Sequence, residues 1–378
     1  GPVAGLIDAE AGNRLVQSDR IVVATGRRDM GLAFPGWDTP GVAGLHAAQV
    51  LNGLYDGFSG SSVVVLGGTN NAVSGALALH AAGIHIAGIV EASAALPCDP
   101  ALADQLRAAG IPVHLSEVPR NVIAKHGEVS GLQLRQAEVA CDTILLGVGA
   151  VPMIDLLQAA GARCEFRADL SGFVPVLTPS GETTLPGIFA VGDCAGIPAA
   201  TTAQMLNRQD FDLGAYRKAW VRDTVAAVQD DMPVCLCETV TARDILELRP
   251  PAYLNAPPRA NSSLTLANLL DVGPPDPDQV KRLTRAGMGA CQGRRCREQV
   301  QALLALQDDL AMGDVPLAGY RAPVRPIPLN QAALPEDPSV TEQWDPWMGI
   351  PLQWAPYWHI GPRYTVASLK TGEEYVNE

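Results

Sequence analysis

Positive charge is scarce in this sequence of 378 residues, where 27 Lys and Arg stand against 40 Asp and Glu for a formal net charge of −13. A chain this acidic offers no basic face to a phosphate backbone, so nucleic acid is excluded as an expected partner. Long hydrophobic runs are also missing: none reaches the roughly 18 residues that cross a bilayer, and no transmembrane segment is expected. The opening residues lack the basic, apolar, small-residue order of a secretory leader. Eight cysteines are too few for the disulfide scaffold of a secreted chain. Reduced thiols and a cytoplasmic location are therefore expected. Aromatics make up 5% and charged residues 18%, whereas hydrophobic residues make up 47%, enough to fill two or three compact cores.

What is present alternates between buried strand and helix over the first 230 residues, an α/β pattern. Residues 19–26 (DRIVVATG) read as a buried strand closed by a tight turn, and 62–66 (SVVVL) as a second one followed by Gly67 and Gly68. Helical spacing over 72–82 and a strand over 84–91 complete a β-α-β unit of about thirty residues, the span of a parallel, doubly wound segment. A helix is expected near 100–109, strands around Val113, over 129–134, 143–146 and 187–191, and a mostly helical stretch over 199–228. Near Asp230 the character changes to a small all-helical module. One helix opens at Thr241 with Asp244 three residues on, a near capping box. Another opens with Asp276 at the N-cap and Pro277 first, and stops at Gly287. Residues 250–275, rich in proline and asparagine, read as an inserted loop. The end is a proline-rich extended tail holding Trp344, Trp347, Trp354 and Trp358. So much aromatic surface calls for a covering, and the tail is expected to strap across this protein or a partner.

Four cysteines carry the strongest chemical signal. Cys235 and Cys237 form C-x-C, and Cys291 and Cys296 form C-x-x-x-x-C. A [2Fe-2S] core takes four thiolates in two close pairs, within surroundings that lower their pKa and offset the cluster's negative charge. Both pairs are expected at helix starts, where unpaired N–H groups face anionic sulfur. Lys281, Arg282, Arg285, Arg294, Arg295 and Arg297 are expected as counter-charge. Zinc, or four metal-free buried thiols, is the alternative; C-x-C matches structural zinc spacing poorly. Cys98, Cys141, Cys164 and Cys194 are isolated and expected as small core residues. His46, His80, His85, His114, His126 and His359 are scattered, and no catalytic residue is assigned.

The runs CLCETVTARDI and TRAGMGACQGRRCREQV resemble the bacterioferritin-associated-ferredoxin type of [2Fe-2S] domain, as fused to the flavoprotein subunits of opine, proline, hydroxyproline and cyanide-forming glycine dehydrogenases. The stretch between the cysteine pairs is longer here than in that family, with the excess in the 250–275 loop. IVVATG, GVGAVP and TLPGIFAVGD follow the order seen in two-dinucleotide-binding flavoproteins. The resemblance implies FAD at Thr25, Gly26, Gly192 and Asp193, with Asp193 on the ribityl chain. It also implies a second nucleotide, NAD(P) or another, at Gly67, Gly68, Thr69, Glu91 and Gly147. Thr69 stands where the fingerprint's second glycine lets a pyrophosphate approach backbone, so a unit that binds NAD poorly is an equal alternative. The family's N-terminal strand with its own G-x-G-x-x-G is not in this sequence, and the FAD domain is expected to be incomplete.

These readings give an expected order of domains. Residues 1–45 and 145–229 form a partial FAD-binding domain, 46–144 an NAD(P)-like Rossmann domain, 230–310 the [2Fe-2S] module and 311–378 the tail. The expected function is electron transfer within a hetero-oligomeric amine or imino-acid dehydrogenase, of which this chain is one subunit. The resemblance implies that its partner is a D-amino-acid-oxidase-like FAD subunit, with room for a small third one. The alternatives are a stand-alone NAD(P)H-dependent flavin reductase and a cofactor-depleted scaffold.

Overall fold

The structure, a computed structural model, describes residues 1–7, 14–197, 211–228, 232–255, 264–271 and 273–328. The chain divides into two units, one of residues 1–2 with 17–326 and one of residues 3–16 with 327–378. The short strands Val3–Leu6 and Arg14–Gln17, which but for Gln17 belong to the second unit, pair into a two-stranded sheet. The four tail tryptophans lie outside the described residues.

The first unit is built on a five-stranded parallel sheet in the order Val42–Gly44, Thr143–Leu146, Ser62–Leu66, His85–Glu91, Val113–Leu115. Its central strands are apolar at nearly every position because both faces are covered. Val63, Val65 and Leu145 turn to one side, where they pack with Leu45, Ala72, Val73, Ala76, Leu79 and Leu106 of the helices Leu45–Leu54, Asn70–Ala81 and Pro100–Ala108. Val64, Leu66, Ile144 and Leu146 turn to the other. Doubly wound sheets generally carry helices on both faces. The second face instead meets Val122, Val129, Leu132 and Val139, from the antiparallel meander Asn121–Lys125, Glu128–Gln133, Glu138–Ala140.

The segment 19–26 departs from expectation. Only Ile21–Val23 is strand, paired in parallel with Ile188–Ala190 alone, and Val22 is 60% exposed. Arg27–Asp29 then pairs antiparallel with Ala150–Pro152. Of the helix expected over 199–228, Leu213–Val221 forms, capped by Asp212 and continued by a π turn, Arg222–Ala226; residues 198–210 are outside the described set.

The cysteine module is not all helix. Pro233–Cys235 and Val240–Thr241 form a hairpin before the helices Ala242–Leu246, Leu266–Leu270, Pro277–Thr284 and Arg297–Gln307. Thr241 and Asp244 form a true capping box, and Asp276 caps with Pro277 behind it as the sequence predicts. The expected 250–275 loop carries a second capping box, Thr265 with Asn268, that opens Leu266–Leu270. Val300, Ala302, Leu303, Leu304 and Ala305 share one core with Met30, Leu32, Phe34, Trp220 and Val221. The module is thus packed into the same core as the segments around it. No helix among the described residues is long and apolar enough to cross a membrane.

Candidate functional site

Parallel pairing of Val23 with Ala190 puts two turns side by side beyond the strand ends: Thr25–Gly26 and Gly192–Asp193. Both glycines have positive φ, +73° and +71°, and open space where a Cβ would stand. The Thr25 hydroxyl donates to the Met153 carbonyl at 2.6 Å, and Met153 N–H donates to the Gly26 carbonyl at 2.9 Å, which ties in the end of the GVGAVP motif. All three expected flavin motifs therefore converge. Asp193 keeps 40% of its side chain exposed and lies 3.5 Å from Arg27 Nε, a carboxylate able to accept from a polyol hydroxyl. Two open glycine turns beside an accessible carboxylate fit the ribityl part of a flavin. Sequence reading passed over His46, which feels both Arg27 and Asp193; burial and the Arg27 charge push its pKa down.

The second nucleotide crevice has a different character. Gly67 to Asn70 are all buried. Gly147 N–H donates to Leu66 O at 2.8 Å, holding the neighbouring strand against the turn. Glu91, at the end of the next strand as expected, is 0% exposed. Its Oε2 accepts from Gly68 N–H at 2.6 Å and from the Tyr216 hydroxyl at 2.8 Å, and its Oε1 accepts from Ser93 N–H at 2.8 Å. Burial raises its pKa against these donors. Tyr216, from the helix Leu213–Val221, packs edge-on to Trp220 with ring centroids 6.4 Å apart.

The four module cysteines come together. Cys237 Sγ lies 3.6 Å from Cys291 Sγ and 4.0 Å from Cys235 Sγ, and the Cys296 thiol hydrogen-bonds Cys235. The Cys237 to Cys291 contact joins the two sequence pairs. Cys296 is the N-cap of Arg297–Gln307 as expected, whereas Cys235 ends a hairpin strand and Cys237 sits in the hairpin turn. The Cys296 hydrogen bond, with N–H groups of Gly287 and Glu238, outweighs burial and holds the Cys235 thiol down at about 6. Burial pushes Cys237 up to about 12, and donation to Cys235 raises Cys296. Among the described residues no group of three or more His, Cys, Asp or Glu is placed so as to hold a metal ion.

Arg285, Arg294 and Arg297, three of the expected counter-charges, are bonded to other partners. Arg285 bonds Glu238 at 2.7 Å and Tyr253 at 3.0 Å. Arg294 pairs with Asp155 at 2.7 Å and donates to the carbonyls of Val324 and Cys291. Arg297 lies 3.8 Å over the Tyr320 ring and donates to Gln158. Their role is to fix the cysteine loop. The same loop is held by the segment that follows the Thr25–Gly26 turn. Arg28 Nη1 donates to Arg294 O at 2.7 Å, Arg28 pairs with Glu298, and Ala33 N–H donates to Gln299 Oε1 at 2.7 Å. Gly31 lies so close to Arg295 that a Cβ would stand 2.1 Å from its carbonyl oxygen. The segment leaving the Thr25–Gly26 turn thus runs along the loop between Cys291 and Cys296.

A parallel α/β sheet with glycine turns beyond its strand ends is the architecture of dinucleotide-binding oxidoreductases. The chain belongs to the pyridine nucleotide-disulphide oxidoreductase family, whose pattern matches residues 4–206, more than half of its length, and it is an oxidoreductase. It is 26% identical over 361 residues to an opine oxidase subunit of Agrobacterium tumefaciens (strain Ach5), covering 85% of this chain and 70% of that one. Hydrogen cyanide synthase subunit HcnB of Pseudomonas aeruginosa is 27% identical over 382 residues, covering 83% and 76%. Among solved structures, L-proline dehydrogenase from P. horikoshii matches with a TM-score of 0.52 at 18% identity, covering 88% of this chain and 62% of that one. That likeness is one of fold, and this chain spans less than two thirds of that chain's length.

Proposed function

We propose that this chain is the flavin- and iron-sulfur-bearing electron-transfer subunit of a hetero-oligomeric dehydrogenase that oxidises an amine or imino acid. The observation that carries this reading is the convergence of Cys235, Cys237, Cys291 and Cys296, the last two on a loop held against the segment that leaves the flavin turn. In this proposal Thr25, Gly26, Gly192 and Asp193 hold FAD and the four cysteines hold a [2Fe-2S] cluster. FAD takes two electrons as a hydride and the cluster one at a time, so the pair links substrate oxidation to a one-electron acceptor. Asp193 would accept from the ribityl hydroxyls, and Arg27, 3.5 Å away, holds that carboxylate in place. Gly287 N–H and Cys296 favour the Cys235 thiolate before any metal arrives.

The relatives' names support a subunit role, since those from opine oxidase and hydrogen cyanide synthase are each named as one subunit of an enzyme. A D-amino-acid-oxidase-like FAD subunit, with or without a small third one, is the proposed site of substrate oxidation, in the cytoplasm. The division into 1–45 with 145–229, 46–144, 230–310 and 311–378 is proposed for the domains. Anaerobically purified chain should contain about two iron and two acid-labile sulfide per polypeptide, and dithionite should develop a low-spin EPR signal. Cys291→Ser should remove both while Cys98→Ser keeps them. Stoichiometric zinc, or no metal at all, would defeat the proposal.

A further inference from the structure

The family to which this chain belongs is named for pyridine nucleotides, yet its second crevice is filled by the chain itself. In a Rossmann unit the glycine turn offers backbone N–H groups to a pyrophosphate, and an acid at the next strand's end accepts a ribose hydroxyl. Here both devices engage each other and a tyrosine. Gly68 N–H points at Glu91, and the Tyr216 hydroxyl donates to Glu91 where a ribose hydroxyl would. A carboxylate accepts about four hydrogen bonds, and Glu91 already holds Gly68 N–H, Ser93 N–H, the Tyr216 hydroxyl and the Ser93 side chain, with no exposed surface. Tyr216 is 7% exposed and clasped between Phe211 and Trp220. Thr69 places a branched side chain, itself buried, where backbone must be bare for a pyrophosphate to approach.

We infer that Tyr216 is a specificity-determining residue. By occupying Glu91 it closes the crevice to NADH and NADPH, so electrons must reach this chain's flavin from another donor. The inference rests on the dinucleotide reading of the crevice and is independent of the cysteine cluster. Its chemistry is substitution: a phenol O–H within the chain replaces the O–H of a ribose, and an aromatic ring replaces the sugar's volume.

The test is direct binding of NADH and NADPH to the full chain, followed by quenching of protein fluorescence and by calorimetry. The parent chain should show no saturation in the micromolar range. Tyr216→Ala combined with Thr69→Gly should bind at least tenfold more tightly than the parent, and adding Glu91→Gln should reverse that gain. Tyr216→Leu with Thr69→Gly serves as the milder opening, and circular dichroism identifies which variants fold. Micromolar binding by the parent overturns the inference, as does a folded opened variant that gains nothing. Because none of these readouts involves iron or turnover, a chain without a cluster could still uphold the inference, and a chain with one could still refute it.

Discussion

Gly31 shows how one missing side chain sets the distance between two segments of the chain. Its neighbour across the contact is a backbone carbonyl, Arg295 O, which cannot turn aside as a flexible side chain could. Gly31→Ala must move the loop between Cys291 and Cys296 or the strand beside it, and overpacking of this kind costs about 1–3 kcal/mol. Gly53 is the control: it lies in the last turn of the helix Leu45–Leu54 with nothing within 4 Å of its absent Cβ. Gly53→Ala should be neutral or stabilising by about 0.5–1 kcal/mol. Thermal melts of the two variants should separate in opposite directions, and hydrogen exchange in 291–299 should quicken in Gly31→Ala alone. Equal melts would mean that the contact is looser than the geometry requires. None of this was legible in the sequence, because Gly31 and Arg295 meet across most of the chain and nothing local marks the glycine.

At the scale of elements, what could be read was what is local. The strand Ser62–Leu66 declares itself by its unbroken run of apolar residues, and the helices after Thr241 and Asp276 by caps that act within four residues. The hairpin Pro233–Cys235 with Val240–Thr241 escaped notice because strands of three and two residues are too short to show a period of two. The same brevity makes the Thr241 box important. It anchors the end of the hairpin that carries Cys235 and Cys237 as well as the first helix turn. Thr241→Ala and Asp244→Ala should each cost about 1 kcal/mol. Together they should cost clearly less than the sum, since the two hydrogen bonds form one reciprocal pair. Urea midpoints and exchange at residues 240–247 read this out; full additivity would mean that the two caps act separately.

For the whole molecule, acidic groups pull stability in two directions with pH. Burial works against Asp142, but hydrogen bonds from Ser61, Ser62 and Thr143 outweigh it and hold its pKa low. A lowered folded pKa adds stability that is present above the ordinary carboxyl range, near ~4, and is lost as pH falls through the folded value. Glu91 and Asp29 are raised, chiefly by burial. Each therefore lowers stability as pH climbs from the ordinary range through its raised value. The thermal midpoint should peak in mildly acidic solution, and Asp142→Asn should depress it at about pH 6 much more than at about pH 3. A deficit of equal size at both pH values would show that Asp142 acts through shape and not through charge.

Arg27 and Arg28 are neighbours in one extended strand, so their side chains leave on opposite faces. One meets Asp193 at the Gly192–Asp193 turn and the other meets Glu298 beside the cysteine loop. The strand therefore works as a two-toothed key whose teeth fit different locks. Losing or gaining one residue just ahead of it would turn each tooth toward the wrong lock, so this stretch should tolerate changes of letter far better than changes of length.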